Sequence, residues 1–439
     1  MIMRVNVAAR LRLSLLFCLI LIGISVKAQV AENPYLPSAF PDRIVLNVTV
    51  DPSTSVAVNW RTSEEIKESF AEIAVAEADP RFVDKAKRFT AKTEKLVWED
   101  TPTANYHSHI FENLVPNTKY AYRVGHGKFW SEWIHFTTAG KAGEKFSFVY
   151  YGDVQVNIKS LWSRVAREAF AKASNARLMM YAGDLINKAN RDIEWGDWFA
   201  GGGFIHSMIP ALPTPGNHDH FDTPQGVNTT SVFWRPQFTL PLNGPAGLEE
   251  TCYYSDVQGM RFISLNSDQV EVSQEYTDKQ RDWLEGILKN NPNKWTCITF
   301  HHPIYSPKTT RNNARMRETF KPIFDKYKVD LVLQGHDHTY ARGMMNVPME
   351  KGAVSGTMYV ISVSGPKMTD SNLEKSKWID RSAVYTQLFH VVEVDGDKLS
   401  FDSFTATGEL YDSFDLIKQK GKTNKLVNKI PKNVPEKIK

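Results

Sequence analysis

Apolar and polar positions along this chain follow two different rhythms. From about 41 to 138 the apolar residues alternate with polar ones in short runs, at 44–50, 55–60, 69–75, 107–111 and 119–124. Runs of this kind, separated by turn residues, predict half-buried strands stacked as a β-sandwich. The segment 138–145 is small and polar, a linker, and beyond it the rhythm changes. Strand-like segments at 146–151, 178–182, 261–265, 295–300 and 330–333 alternate with helical spacing at 161–174, 277–289 and 315–327. That alternation predicts a layered α/β domain, its β-sheets flanked by helices. Past Arg342 the pattern returns to strands, at 357–363, 387–394 and 398–403. Trp195, Trp198 and Phe199 share one side of a helix and are read as core, with Gly201, Gly202 and Gly203 ending that helix or forming a mobile loop.

The two ends differ from the middle. Arg4, Arg10 and Arg12 precede the apolar run 13–26, and Val26-Lys27-Ala28 stands before Gln29. This predicts a cleavable signal peptide over 1–28 and a secreted or periplasmic protein. The run is shorter than the roughly 20 apolar residues that cross a bilayer, so no membrane span is expected after cleavage. Removing the leader takes away four positive charges and brings the formal net charge from +4 to zero. Residues 419–439 hold seven lysines and one glutamate, so the folded body carries −6. A body of that sign is a poor nucleic-acid scaffold. The basic tail, interrupted by Pro431 and Pro435, is expected to be solvated and flexible. A hydrophobic content of 42% excludes a mostly disordered chain. Two cysteines remain after processing, Cys252 and Cys297, and an export compartment permits either a disulfide or two free thiols.

The chemistry lies where apolar segments stop. Five of them end in polar groups: Gly152-Asp153, Gly183-Asp184, Gly216-Asn217-His218-Asp219, His301-His302-Pro303 and Gly335-His336-Asp337-His338. Ligands gather at the carboxyl ends of strands in α/β sheets, so the five are candidates to converge on one site. Their order, with gaps of 31 residues from Asp153 to Asp184 and 33 from Asp184 to Asn217, resembles the calcineurin-like metallophosphoesterase superfamily. Within it, the preceding sandwich, the run 335–342 and His301-His302-Pro303-Ile304-Tyr305 look most like the purple acid phosphatases. Trp60 and the run 114–122, with Tyr120 placed like a tyrosine corner, resemble a fibronectin type III-like domain. The implied organisation is a sandwich at 39–138, a metallophosphoesterase domain at 145–418 and the tail at 419–439.

The resemblance implies two metal ions. Asp184 bridges them; Asp153 and His338 complete one, and Asn217, His301 and His336 the other. Position by position it also implies that His218 protonates the leaving group and that Asp219 orients His218. A water-derived nucleophile held by two divalent ions, drawn from zinc, manganese or iron, then attacks a phosphate ester. His302 is assigned to packing or to hydrogen bonding behind the metals. Arg311 and Arg315 are candidates to grip phosphate, or else solvated residues at a helix start. The main expectation is an acid phosphatase-like phosphomonoesterase. A phosphodiesterase acting on nucleotides or lipid headgroups with the same site is the alternative. A catalytically inactive metal-binding surface protein would predict broken ligands, and all six positions are intact. Oligomeric state and physiological substrate lie beyond the residues.

Two positions depart from the purple pattern. The colour of that family comes from a tyrosine three residues after the bridging aspartate, and Asn187 stands there. Gln155, two residues after Asp153, occupies the place of a histidine ligand in many non-purple relatives. Gln155 and Asn187 either offer a neutral oxygen to the first metal or hydrogen-bond to its ligands. Losing a phenolate removes one negative charge, which matches two divalent ions. The iron-loaded protein is therefore expected to be colourless, and a visible ferric-phenolate absorption band would overturn this reading of Asn187.

Overall fold

In the N-terminal half, Val56 and Val58 from the strand Val56–Ser63 meet Tyr122 and Val124 from Lys119–His126 in one buried apolar layer. Alternation puts every second side chain on that face, which is why short runs suffice to build it. Trp60 lies in the same layer and its indole donates to Ser69 Oγ at 3.0 Å. Tyr120 accepts the Val115 amide at 2.9 Å, a tyrosine corner as expected. The computed structural model describes residues 33–308, 310–344, 356–369 and 378–438, and the expected signal peptide at 1–28 lies outside them. Among the described residues no helix is long and apolar enough to cross a membrane.

The second half is built on two sheets. In one, Phe146–Tyr151, Met179–Ala182 and Ala211–Thr214 run parallel, and Leu388–Asp395, Lys398–Thr405 and Leu410–Ile417 extend it antiparallel. In the other, Met260–Ser264, Trp295–Thr299, Leu331–Gln334 and Met358–Ile361 run parallel. The sheets meet face to face: the Phe148 and Phe262 rings lie edge-on at 5.0 Å, and the Tyr150 hydroxyl donates to the Gln334 carbonyl. Helices cover both outer faces. Ser163–Lys172 and Asp192–Gly202 pack on the first sheet through Val165, Ala169 and Trp198. Gln274–Lys289 and Ala314–Tyr327 pack on the second through Leu284, Phe320 and Phe324. Trp195, Trp198 and Phe199 are buried as expected, and Gly203, at φ 54°, turns the chain after Asp192–Gly202.

Sandwich and catalytic half share a sheet. Asp42–Asn47 pairs in parallel with Ala211–Thr214 at Asn47 and Ala211, giving one continuous eleven-stranded sheet. A buried ion pair, Arg43 Nη2 to Asp192 Oδ1 at 2.8 Å, and a Tyr122 hydroxyl bond to the Ser207 carbonyl at 2.7 Å tie the two together. Cys252 and Cys297 are both buried free thiols, which decides between the two options the sequence left open.

The tail expectation needs correction. Lys425–Asn428 pairs antiparallel with Leu410–Ile417, the Arg381 guanidinium donates to the Val434 carbonyl at 2.8 Å, and the Ser382 amide donates to Glu436 Oε1 at 2.7 Å. Backbone bonding to an open sheet edge, which local charge does not reveal, holds the segment in place.

Arg342, from the run 335–342, is fully buried and grips the equally buried Asp412 with two bonds, at 2.7 and 3.0 Å, while the Tyr340 hydroxyl adds a third at 2.7 Å. Removing one partner of such a pair leaves an uncompensated charge in the core. Arg342→Met is expected to cost about 3–5 kcal/mol, read as a lowered urea midpoint. A loss under about 1 kcal/mol, the scale of an exposed pair, would overturn this account.

Candidate metal centre

Each of the five polar segments begins within a few residues of a parallel strand's carboxyl end: Tyr151 before Asp153, Ala182 before Asp184, Thr214 before Asn217, Thr299 before His301 and Gln334 before His336. Because strands within each sheet run parallel and the sheets lie face to face, these ends open at one edge. The turns are sharp. Asp184, His336 and His338 adopt φ of 50°, 72° and 53°, a region costly for residues with a Cβ and tolerated where a site imposes it. Gly335 must be glycine, since a Cβ there would stand 2.2 Å from Asp153 Oδ1.

The predicted ligands converge. Asp153, Asp184 and His301 are buried and offer ligand atoms that all lie within 4.8 Å of one another. His301 Nε2 is 3.1 Å from Asp184 Oδ2 and 3.2 Å from His336 Nδ1, and His338 Nε2 is 3.1 Å from Asp153 Oδ2. His301 Nδ1 donates to the Ala182 carbonyl at 2.9 Å, so its Nε2 presents a lone pair to the site when the ring is neutral. Lone pairs facing one another at such distances require a proton or a cation between them. Buried Asn217 Oδ1 has no hydrogen-bond partner among the described residues, and Asp153 Oδ2 has none beyond the approach of His338 Nε2, as expected of atoms shaped for a metal ion. Mixed carboxylate, amide and imidazole donors suit zinc, manganese or ferrous iron. The residues present therefore fit a metal.

Electrostatics agree. Burial alone would push His301 down, but Asp184 and Asp153 outweigh it and push it up to about 10. A cation held between these carboxylates and His301 would take the place of that proton. Burial, reinforced by His301 and His302, pushes His336 well down and leaves it a neutral imidazole.

His218 donates its backbone amide to Asp184 Oδ1 at 2.9 Å, and its Nδ1 lies 2.7 Å from the Asn187 carbonyl. A carbonyl only accepts, so Nδ1 carries a proton and Nε2 faces the site. The expectation that Asp219 orients His218 is corrected: Asp219 is buried and accepts the Gly216 amide at 2.8 Å and the Leu185 amide at 3.2 Å. It joins the Asp184 and Asn217 turns, and burial, then Asp184, pushes its carboxyl up. Asn187 acts through its backbone. Gln155 donates Nε2 to Asp184 Oδ2 at 2.6 Å.

His302 packs behind the ligands, its Nδ1 2.9 Å from Ser267 Oγ and its ring 4.3 Å from that of His336. Arg311 braces the last turn by donating to the His336 carbonyl at 3.0 Å and to Asp337 Oδ1 at 2.8 Å. Arg315 is corrected: it donates to Gln274 Oε1 at 3.2 Å and Thr277 Oγ1 at 3.1 Å, on the neighbouring helix. One residue escaped the sequence reading. Lys367 Nζ donates to Gln155 Oε1 at 2.8 Å and lies 3.1 Å from His218 Nε2. It follows Met358–Ile361, another of the parallel strands, so the rule that found the other five turns extends to it. A separate cleft of about 670 Å³, lined by Tyr106, His107, Arg235 and Leu240 among others, contains none of these residues.

Two family matches follow the same division of the chain. The purple acid phosphatase N-terminal domain family matches residues 41–138, and the calcineurin-like phosphoesterase family matches 146–340. The chain belongs to the calcineurin-like metallophosphoesterase superfamily, in the branch that carries a purple acid phosphatase N-terminal domain. An uncharacterized protein of Mycobacterium tuberculosis is 27% identical over 327 residues, covering 66% of this chain and 60% of that relative. The chain thus spans under two thirds of that protein. A probable purple acid phosphatase of Arabidopsis thaliana is 25% identical over 369 residues, covering 80% of this chain and 81% of the relative. The solved purple acid phosphatase of yellow lupin seeds superposes with a TM-score of 0.70 at 20% identity, covering 86% of this chain and 74% of that one, and shares the fold.

Metal uptake must displace the His301 proton. Calorimetric titration of metal-free protein in buffers of different ionisation enthalpy is expected to show about one proton released at neutral pH, and affinity weakening about tenfold per unit of acidification. No proton release would overturn the assignment of His301.

Proposed function

We propose that this chain is an exported phosphomonoesterase with a two-metal centre. The observation that carries the proposal is the convergence of the buried oxygens of Asp153, Asp184 and Asn217, the last with no hydrogen-bond partner among the described residues, on the facing nitrogens of His301, His336 and His338. Asp153, Asp184 and His338 would hold one ion, and Asp184, Asn217, His301 and His336 the other. Metals bound there supply Lewis acidity, which neutralises phosphoryl charge and lowers the pKa of a water. Export rests on the leader-like segment 1–28.

The chain's own residues do the positioning. The Asp184 carboxylate is oriented by the His218 amide and the Gln155 side chain, and His301 is fixed in one tautomer by the Ala182 carbonyl. His218, anchored through Nδ1, turns Nε2 to the pocket, where as the doubly protonated imidazolium it can pass the Nε2 proton to the departing oxygen and keep the one on Nδ1. The two carboxylates Asp153 and Asp184 leave a pocket with two divalent ions net positive, which favours a phosphate dianion.

Hydrolysis of p-nitrophenyl phosphate and bis(p-nitrophenyl) phosphate, with metal analysis, tests the proposal. The monoester is expected to be the better substrate. Asp184→Asn should abolish turnover of both, and His218→Ala should lower kcat by about 10²–10⁴ while retaining metal. Activity unchanged in both variants would sink the mechanism.

A further inference from the structure

The five predicted turns account for the metal ligands, but Lys367 brings a side chain of another kind to the same pocket. Half-buried, it donates to Gln155 Oε1 at 2.8 Å and lies 3.1 Å from His218 Nε2. An ammonium has three N–H donors and no acceptor; the Gln155 contact uses one, and the His218 contact uses a second only while Nε2 is unprotonated. Both partners border the space a phosphoryl group would enter: Gln155 touches Asp184, and His218 is the proposed proton donor.

The segment that carries Lys367 is anchored on both sides of the site. The Ser364 and Gly365 amides donate to the Asp153 carbonyl at 3.1 and 2.6 Å, and the Thr369 hydroxyl donates to the Asp337 carbonyl at 3.0 Å. A Cβ at Gly365 would stand 2.3 Å from the Val154 carbonyl oxygen, so only glycine permits this close approach. Pro366 then restricts the backbone before the lysine. Lys367 is thereby held over the pocket by fixed points on two ligand turns, not by its own flexible stem.

We infer that Lys367 is a phosphate-binding residue that sets the preference for monoesters over diesters. The inference rests on the proposed phosphatase reading of the site. Its third donor points the choice by charge: a monoester brings a dianion and a diester a monoanion, and attraction to a fixed cation scales with that charge. The effect adds to that at Asn187, where a neutral residue stands in place of a phenolate and removes a negative charge from the pocket. Arg311, another cation near the ligand turns, is already engaged with Asp337 and the His336 carbonyl.

The test uses full-chain, metal-loaded protein and the variants Lys367→Met and Lys367→Arg. Inorganic phosphate binding is measured by calorimetry, and kcat and KM are measured on both nitrophenyl esters, with metal content determined for each sample. Lys367→Met is expected to weaken phosphate binding by about 10- to 100-fold, the scale of one charge-assisted hydrogen bond. The loss for the monoester should appear mainly in KM, and the monoester-to-diester ratio of kcat/KM should fall about tenfold, with metal content retained. Lys367→Arg should recover most of the phosphate affinity. Unchanged phosphate affinity in Lys367→Met, or an equal loss on both esters, would overturn the inference. If the unaltered protein hydrolyses neither ester, the phosphatase reading fails by itself, and the phosphate titration of the three proteins still decides the role of Lys367.

Discussion

Asp184 is a carboxylate 1% exposed, placed where two stacked sheets come to an edge. An ionised group so deep in the protein is costly unless it is paired and hydrogen-bonded. Its surroundings meet that need from turns far apart in sequence: the His218 amide on Oδ1, the Gln155 side chain on Oδ2 and the His301 ring beside it. The same groups that satisfy the carboxylate define the site, so stability of the buried charge and geometry of the metal centre are one constraint. Asp219, by tying the Gly216 and Leu185 amides together, keeps two of those turns from separating.

The sandwich is mechanically connected to this edge. Arg43, on the strand Asp42–Asn47, pairs with Asp192 at the start of the helix Asp192–Gly202. Two residues on, Glu194 accepts the Asn187 and Lys188 amides at 2.8 and 2.9 Å. The Asn187 carbonyl in turn holds His218. A run of short contacts thus leads from the N-terminal domain to the proposed proton donor, within one continuous sheet. This gives the sandwich a local structural role: it holds the helix against which the Asn187 turn is built.

Electrostatics distinguish this pocket from the purple pattern it resembles. An asparagine stands in place of the phenolate, which leaves one negative charge fewer around the ligands, and the loop after Met358–Ile361 brings the Lys367 ammonium beside them. A less negative ligand set has less to offer a trivalent ion, while the added cation favours a doubly charged phosphate. On the proposed reading, Asn187 and Lys367, both outside the ligand set, bear on metal charge and substrate charge together.

Much of this was legible in the sequence because the relevant patterns are local. Alternating runs marked the sandwich, the change of rhythm after 145 marked the layered domain, and polar groups at strand ends, bordered by glycine in four of the five runs, marked Asp153, Asp184, Asn217, His301, His336 and His338. Side-chain periodicity and turn chemistry act over a few residues, so a single chain records them. What depends on partners distant along the chain was not recorded. Lys367 lies 212 residues from Gln155, Arg342 finds Asp412 70 residues away, and Arg315 turns to a neighbouring helix. Asp219 bonds to backbone amides, which every residue but proline carries, so its identity could not show which ones it would choose. The basic tail showed its charge but not the open sheet edge it pairs with. Residue types and spacing determined the kind of chemistry available; the tertiary structure decided which groups share the buried edge, because only folding brings these contacts together.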